Sequence, residues 1–349
     1  MPVYSEEDLR SAVDAGAISA EAAQALRDHV SSVRMAPVTD EESFRLVTSF
    51  NDIFVTIAAV MLLVALGSIG GTVSTHAAAT LIAAASWGLA EFFTRRRRMA
   101  LPSIVLLASF VGGVLVSLGA ILGELDPESI GAGGVLAAVT FAGGTGAAYL
   151  HWLRFKVPIT VAAGVASLVG VIFALIAAAM GKDSGIEPGD IFLPLAFVSG
   201  LAVFAYAMWW DMSDRRRETR RSDVAFWLHL LAAPLIVHPV FYWIGAFGGA
   251  IDGDEAVAVL LIYLAMGLVA VIVDRRALLV SALAYVLFAV TWLFDRFGAV
   301  ELNVALTSFV IGSALLMLSA FWTPLRRQVV SSLPGRLREW VPVLGVVPN

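Results

Sequence analysis

Positive charge sits in every second gap between the long apolar runs of this chain, and negative charge sits in the others. Arg95, Arg96, Arg97 and Arg98 close one gap. Arg154 with Lys156, the run from Arg215 to Arg221, Arg275 with Arg276, and Arg326 with Arg327 close every second gap after it. The acidic gaps hold Glu124, Asp126 and Glu128, then Asp183, Glu187 and Asp190, then Asp252, Asp254 and Glu255, then Asp295 and Glu301. Cytoplasmic loops retain Lys and Arg, so the alternation predicts a polytopic membrane protein and orients it.

The apolar runs reach about 18 residues or more, enough to span a hydrocarbon core. Of the 349 residues 59% are hydrophobic and 15% charged, against roughly half and a quarter in a soluble domain. A soluble protein with large buried helices has no reason to confine charge to the gaps. The predicted fold is all-α, an integral membrane bundle of ten helices at about 53–73, 76–93, 101–122, 130–150, 157–180, 190–210, 224–248, 255–273, 277–294 and 303–322. Ser74-Thr75-His76 must then serve as an outer turn, and both termini lie in the cytoplasm. The net charge of −5 divides by face: the outer loops carry two basic residues, Lys182 and Arg296, against eleven acidic ones.

Three regions follow: an acidic cytosolic helical hairpin and linker (1–45), the transmembrane domain (46–325) and a cytosolic or interfacial tail (326–349). In the first, Ser5-Glu6-Glu7-Asp8 reads as a capping signature. Gly16 ends one helix and Ser19 caps another running to about Val33. Residues 1–45 hold nine acidic and four basic residues, whereas phosphate neutralisation needs a positive face, so nucleic acid is not an expected partner. The start has no basic segment before an apolar one, so no cleaved signal peptide is expected, and the run from Ile53 serves as an insertion signal. In the tail, Leu333, Leu337, Trp340, Val341 and Leu344 suggest an interfacial segment interrupted by Pro334, Gly335 and Pro342.

The seventh run is the most unusual. Pro234 and Pro239 free the carbonyls of Leu230 and Leu235, which marks a kinked or broken helix, and unpaired carbonyls at membrane depth must find partners. His229 and His238 are polar groups where apolar ones cost less. The plain reading is packing or kink support, since an imidazole can donate to a neighbouring helix. The sharper reading is a substrate or proton site, although nine residues turn a helix through about 900° and put the two rings on opposite faces. His29, His76 and His151 have no metal-ligand spacing, and the chain has no cysteine, so neither a metal nor another cofactor is expected. Asp52, Asp211, Asp274 and Asp295 fall at span ends, and Glu91 can pair with Arg95. An interior so nearly free of charge counts against an ion-driven pump.

Other features have structural readings. Gly88, Gly146 and Gly267 each lie eight residues before an arginine, as in a parallel repeat of hairpins. Gly67-x-x-x-Gly71 and Gly119-x-x-x-Gly123 suit close helix contacts, within one chain or in a homo-oligomer. The glycines at 131–134 and 143–146 lack the Gly-Lys-Ser/Thr ending of a phosphate loop. The arginines at 215–221 serve as a topology signal that can also touch anionic headgroups.

Leu9 with Gly16-Ala17-Ile18-Ser19-Ala20-Glu21, followed by apolar hairpins closed by arginines, resembles the bacterial polytopic membrane proteins grouped as domain of unknown function 2157. The resemblance implies a bacterial inner membrane and a cytosolic N-terminal helical module. It implies no catalytic or binding residues.

Three functions stay open. The first is binding or passage of a small neutral or apolar molecule at the seventh helix, with His229, His238 and Tyr242 as polar groups and Trp227 and Trp243 as walls. The second is a non-transporting scaffold or sensor whose N-terminal hairpin binds a cytosolic protein. The third is an enzyme acting on lipid or envelope polymer through Asp252, Asp254 or Glu255, although no serine–histidine–acid set marks a hydrolase.

Overall fold

The computed structural model describes residues 6–26, 50–126, 129–180, 187–215, 217, 219–245, 253–279, 283, 286, 287, 290 and 303–343. The chain divides into two units, one around residues 1–42 and one spanning 43–343.

In the first unit, α1 (Glu6–Asp14) ends in a turn at Gly16, whose φ of +68° suits a residue without Cβ. The Gly16 amide donates to the Val13 carbonyl and the Ala17 amide to that of Ala12, both at 2.9 Å. Ser19 Oγ then accepts from the Ala22 amide at 3.0 Å, capping a helical stretch at 20–26. Ser5 and the expected continuation to Val33 lie outside the described residues.

The second unit is all-helical among the described residues, and seven of its helices are long and apolar enough to cross a membrane. They are α2 (Phe50–Gly71), α3 (Thr75–Ala90, continuing as a wider π-turn over Glu91–Arg96), α4 (Ala100–Gly123), α5 (Ile130–Phe155), α6 (Ile159–Met180), α7 (Pro188–Met212) and α8 (Arg220–Trp243). At 1.5 Å per residue, helices of this length cover the hydrocarbon core of about 30 Å. α9 (Gly253–Val273) has a shorter apolar stretch. The last apolar run is bent: α10 (Asn303–Ala320) and α11 (Trp322–Ser332) meet at 68°, so it counts as an eighth span only if the pair is taken together. A single turn, α12 (Gly335–Arg338), follows. Most of the expected span at 277–294 lies outside the described residues.

Capping defines where the helices begin. The chain reverses after Gly71, where Ser74 Oγ accepts from the Ala77 amide at 3.1 Å to start α3. Ser129 does the same for Ala132 at 3.1 Å, and Thr219 for Arg221 at 3.2 Å. At the basic end of α3, Glu91 accepts from Arg154 Nε at 2.6 Å and Nη2 at 2.9 Å, with Arg95 at 3.4 Å. The acid thus ties α3 to the end of α5 as well as pairing within its own helix.

Small residues set the crossings, though not always the expected ones. A Cβ on Gly70 would lie 2.5 Å from Ala78 Cα, one on Gly113 2.8 Å from the Ala79 carbonyl, and one on Gly134 2.7 Å from Ala178 Cα. Gly67 packs on Ile82, but Gly71 and Gly123 face open space and Gly119 makes only an ordinary contact with Thr140. Within the single chain the backbone approaches closely at Gly70, Gly113 and Gly134 and not at Gly71, Gly119 or Gly123, because approach depends on which face turns inward. Gly88 and Gly146 also face open space while Gly267 touches Leu279, so these three glycines make no common contact. The glycines at 131–134 and 143–146 lie inside α5, not in a loop. A Gly70→Ala substitution is expected to cost about 1–3 kcal/mol by overpacking, with Gly71→Ala close to neutral; thermal unfolding in detergent compares them.

Candidate functional site

α8 carries all five residues expected to form a site, and it remains one continuous helix through Pro234 and Pro239. Both prolines sit within helical backbone, as neighbouring helices in a bundle allow, so the span is not interrupted at either. His229 is fully buried, whereas His238 is exposed and Tyr242 and Trp243 are each 51% exposed. Trp227 lines a cavity near the start of the helix. The five do not converge. Helical periodicity is the reason, since positions nine apart face opposite ways.

What encloses His229 is ionic. Its Nε2 lies 2.9 Å from Asp211 Oδ2, on the last turn of α7. A carboxylate only accepts, so Nε2 carries the shared proton. Arg275, just beyond α9, donates to Asp211 through Nε at 3.3 Å and also through Nη2. The same Nη2 reaches the Ser222 carbonyl at 3.0 Å and its hydroxyl at 3.1 Å. Asp211, His229 and Arg275 are all at most 1% exposed. His229 Nδ1 has no hydrogen-bond partner among the described residues, and its ring packs edge-on to Phe204 at 5.1 Å.

The adjacent residue extends the junction. Asp274 Oδ2 accepts from Arg217 Nη1 at 2.8 Å, and its Oδ1 accepts from Trp322 Nε1 at 2.7 Å, with Arg326 Nε 3.6 Å away. Arg217 and Asp274 have φ of +55° and +60°, a conformation costly for residues with a Cβ and maintained here by the ion pair between them. Burial, followed by Arg275, pushes the Arg217 guanidinium below its ordinary value, while Asp274 and Asp211 push it back up. Arg326 Nη2 donates to the Pro342 carbonyl at 2.8 Å. Arg215 donates to the carbonyls of Val341 at 3.1 Å and Arg338 at 2.8 Å, and accepts from the Val343 amide at 3.2 Å through its own carbonyl. The segment after α12 is therefore bound to the bundle by guanidinium groups.

No protein-family model, curated protein or solved structure matches the chain. The site is described by its own geometry, and one further element completes it. Tyr263, Leu279, Leu315, Leu318 and Ser319 line a cavity of about 200 Å³ together with Trp322 and Arg276. The Arg276 guanidinium stacks 4.9 Å from the Trp322 ring. The Tyr263 hydroxyl is buried without a hydrogen-bond partner among the described residues. A mainly apolar cavity of about 150 Å³ is already large enough to take a benzene-sized guest. Neither Asp211 nor His229 lines it, so the ionic junction supports one wall, through Trp322, without entering the cavity.

Asp211 and Asp274 lie at helix ends, as expected, and with Arg275 and Arg326 they are buried ions with specific partners. A signal for them existed: Asp211, Asp214, Asp223 and Asp274 all stand in or beside gaps that otherwise carry arginine. His151, which the sequence marks only as lacking metal-ligand spacing, is buried against Trp87, Phe110 and Phe155 and lies 3.2 Å from Thr160 Oγ1. Among the described residues no group of three His, Asp or Glu could hold a metal ion. Asp252 and His29 lie outside the described residues.

Proposed function

We propose that this is a ten-helix protein of a bacterial inner membrane, with both termini cytoplasmic. In this reading it binds a small, neutral, mainly apolar molecule in the cavity beside Trp322 and senses its presence. The resemblance of its first residues and the alternation of charge support the location and orientation. The observation that carries the function is the position of Trp322: it lines the cavity, and its indole N–H holds Asp274. A guest that shifts the indole would act on the ion pairs that anchor the C-terminal segment. This merges binding with sensing; nothing in the cavity argues for passage across the membrane.

The Tyr263 hydroxyl is buried without a partner among the described residues, and a turn of its ring toward the cavity would favour a guest with one hydrogen-bond acceptor. Cyclohexanone is a suitable probe and cyclohexane its apolar control. At a hundredfold excess over Kd, binding stabilises the fold by about 2.7 kcal/mol. Thermal unfolding is expected to show stabilisation by cyclohexanone that disappears in Leu318→Trp and drops to the cyclohexane level in Tyr263→Phe. An equal shift in wild type and Leu318→Trp would place binding elsewhere and end the proposal.

A further inference from the structure

A second cavity, of about 290 Å³, opens at the basic end of the other half of the bundle. Its lining includes Arg98 after α3, Lys156 between α5 and α6, whose ammonium lies 5.1 Å over the Trp152 ring, and Arg220 at the start of α8. Asp223 is the acid among its lining residues, so three positive charges against one negative leave an excess of two. Behind the rim the wall is apolar, with Met99, Ile104, Phe155 and Val157.

Two observations separate this cavity from an ordinary solvated arginine cluster. Thr94, only 8% exposed, is among the residues lining the cavity, and its hydroxyl is buried behind that lining without a hydrogen-bond partner among the described residues. Arg98 and Lys156 hold φ of +53° and +55°. The positive-inside rule requires charge at these gaps, but it requires neither left-handed backbone nor a cavity under the charges. Arg98 and Arg220 form no salt bridge with any described residue. Cations on three separate chain segments suit a tetrahedral phosphate; one planar guanidinium would satisfy a carboxylate.

We propose that this cavity binds the phosphate head of an anionic amphiphile, with Arg98, Lys156 and Arg220 around the phosphate and the start of the hydrocarbon chain against Met99, Ile104 and Phe155. The rim lies where the apolar spans end, at the level of lipid headgroups. The apolar wall makes the chain part of recognition, so a free phosphate ion lacks half of the contacts.

The test uses the full chain in a neutral detergent, titrated calorimetrically with dioctanoyl phosphatidic acid, dioctanoylglycerol and inorganic phosphate. Phosphatidic acid is expected to bind at least tenfold more tightly than either of the others. Arg98→Gln and Arg220→Gln are each expected to weaken it about tenfold, the loss of one charge-assisted hydrogen bond. Arg96→Gln, at an exposed residue outside the cavity, is expected to leave it unchanged. Both rim arginines are exposed, and an unchanged thermal midpoint confirms that the fold is intact; if one variant lowers it, the other decides. Equal weakening by Arg96→Gln would mean general attraction to a basic face, and inorganic phosphate binding as tightly would mean an anion site without a lipid. Either result overturns the proposal.

Discussion

An Asp211→Ala variant is expected to lose roughly 3–5 kcal/mol of stability, the cost of leaving a buried charge without its partner. The reason is the enclosure of Arg275, which is 1% exposed and directs both Nε and Nη2 at this carboxylate. Ser222 supplies only neutral acceptors for the same guanidinium. His229 loses its carboxylate as well, and its other ring nitrogen already lacks a partner among the described residues. The triple variant Asp211→Leu, His229→Leu, Arg275→Met removes the desolvation cost along with the attraction. It is expected to recover most of the loss, because apolar groups of similar volume replace buried ion pairs at little cost. Denaturant or thermal unfolding of both variants in detergent measures the difference. Should Asp211→Ala unfold within about 1 kcal/mol of wild type, Arg275 must have another route to water or charge, and the junction is not a closed ionic unit.

How legible this was in the sequence depends on the scale of the feature. The spans from 50 to 243 could be read because an apolar run bounded by charge has few other ways to satisfy its backbone in a bilayer. The turn at Ser74 followed from the same constraint. The junction could not be read that way. Asp211 and Arg275 are 64 positions apart, and which residues at helix ends meet depends on rotation and tilt, which packing decides. The local signal was an acid in a basic gap, and the average over the gap concealed it. His229 illustrates both sides: periodicity correctly separated it from His238, yet nothing nearby in the chain named Asp211 as its partner. The cavity at Trp322 was further from view: Pro324, which cannot donate back to Ala320, marks the end of α10 but not the 68° bend or what that bend encloses.

That bend makes Trp322 the most informative residue to remove. The side chain is 1% exposed, and truncating a buried aromatic costs about 3–5 kcal/mol. Trp322→Ala is therefore expected to destabilise the bundle by that amount and to free the C-terminal segment. Without the indole N–H, Asp274 holds Arg217 but loses the donor that fixes the start of α11, the helix that carries Arg326 to Pro342. Limited trypsin digestion reads the release as faster cleavage after Arg336 and Arg338. Trp322→Phe retains most of the volume and isolates the hydrogen bond, a smaller effect of about 1–3 kcal/mol. Added indole distinguishes filling from bonding: in Trp322→Ala it can occupy the vacated space and donate to Asp274, whereas benzene can only occupy it. Both should raise the unfolding temperature, and only indole should restore slow cleavage. If cleavage in Trp322→Ala stays as slow as in wild type, Arg215 and Arg326 hold the segment without Trp322 and the cavity has no mechanical route to it.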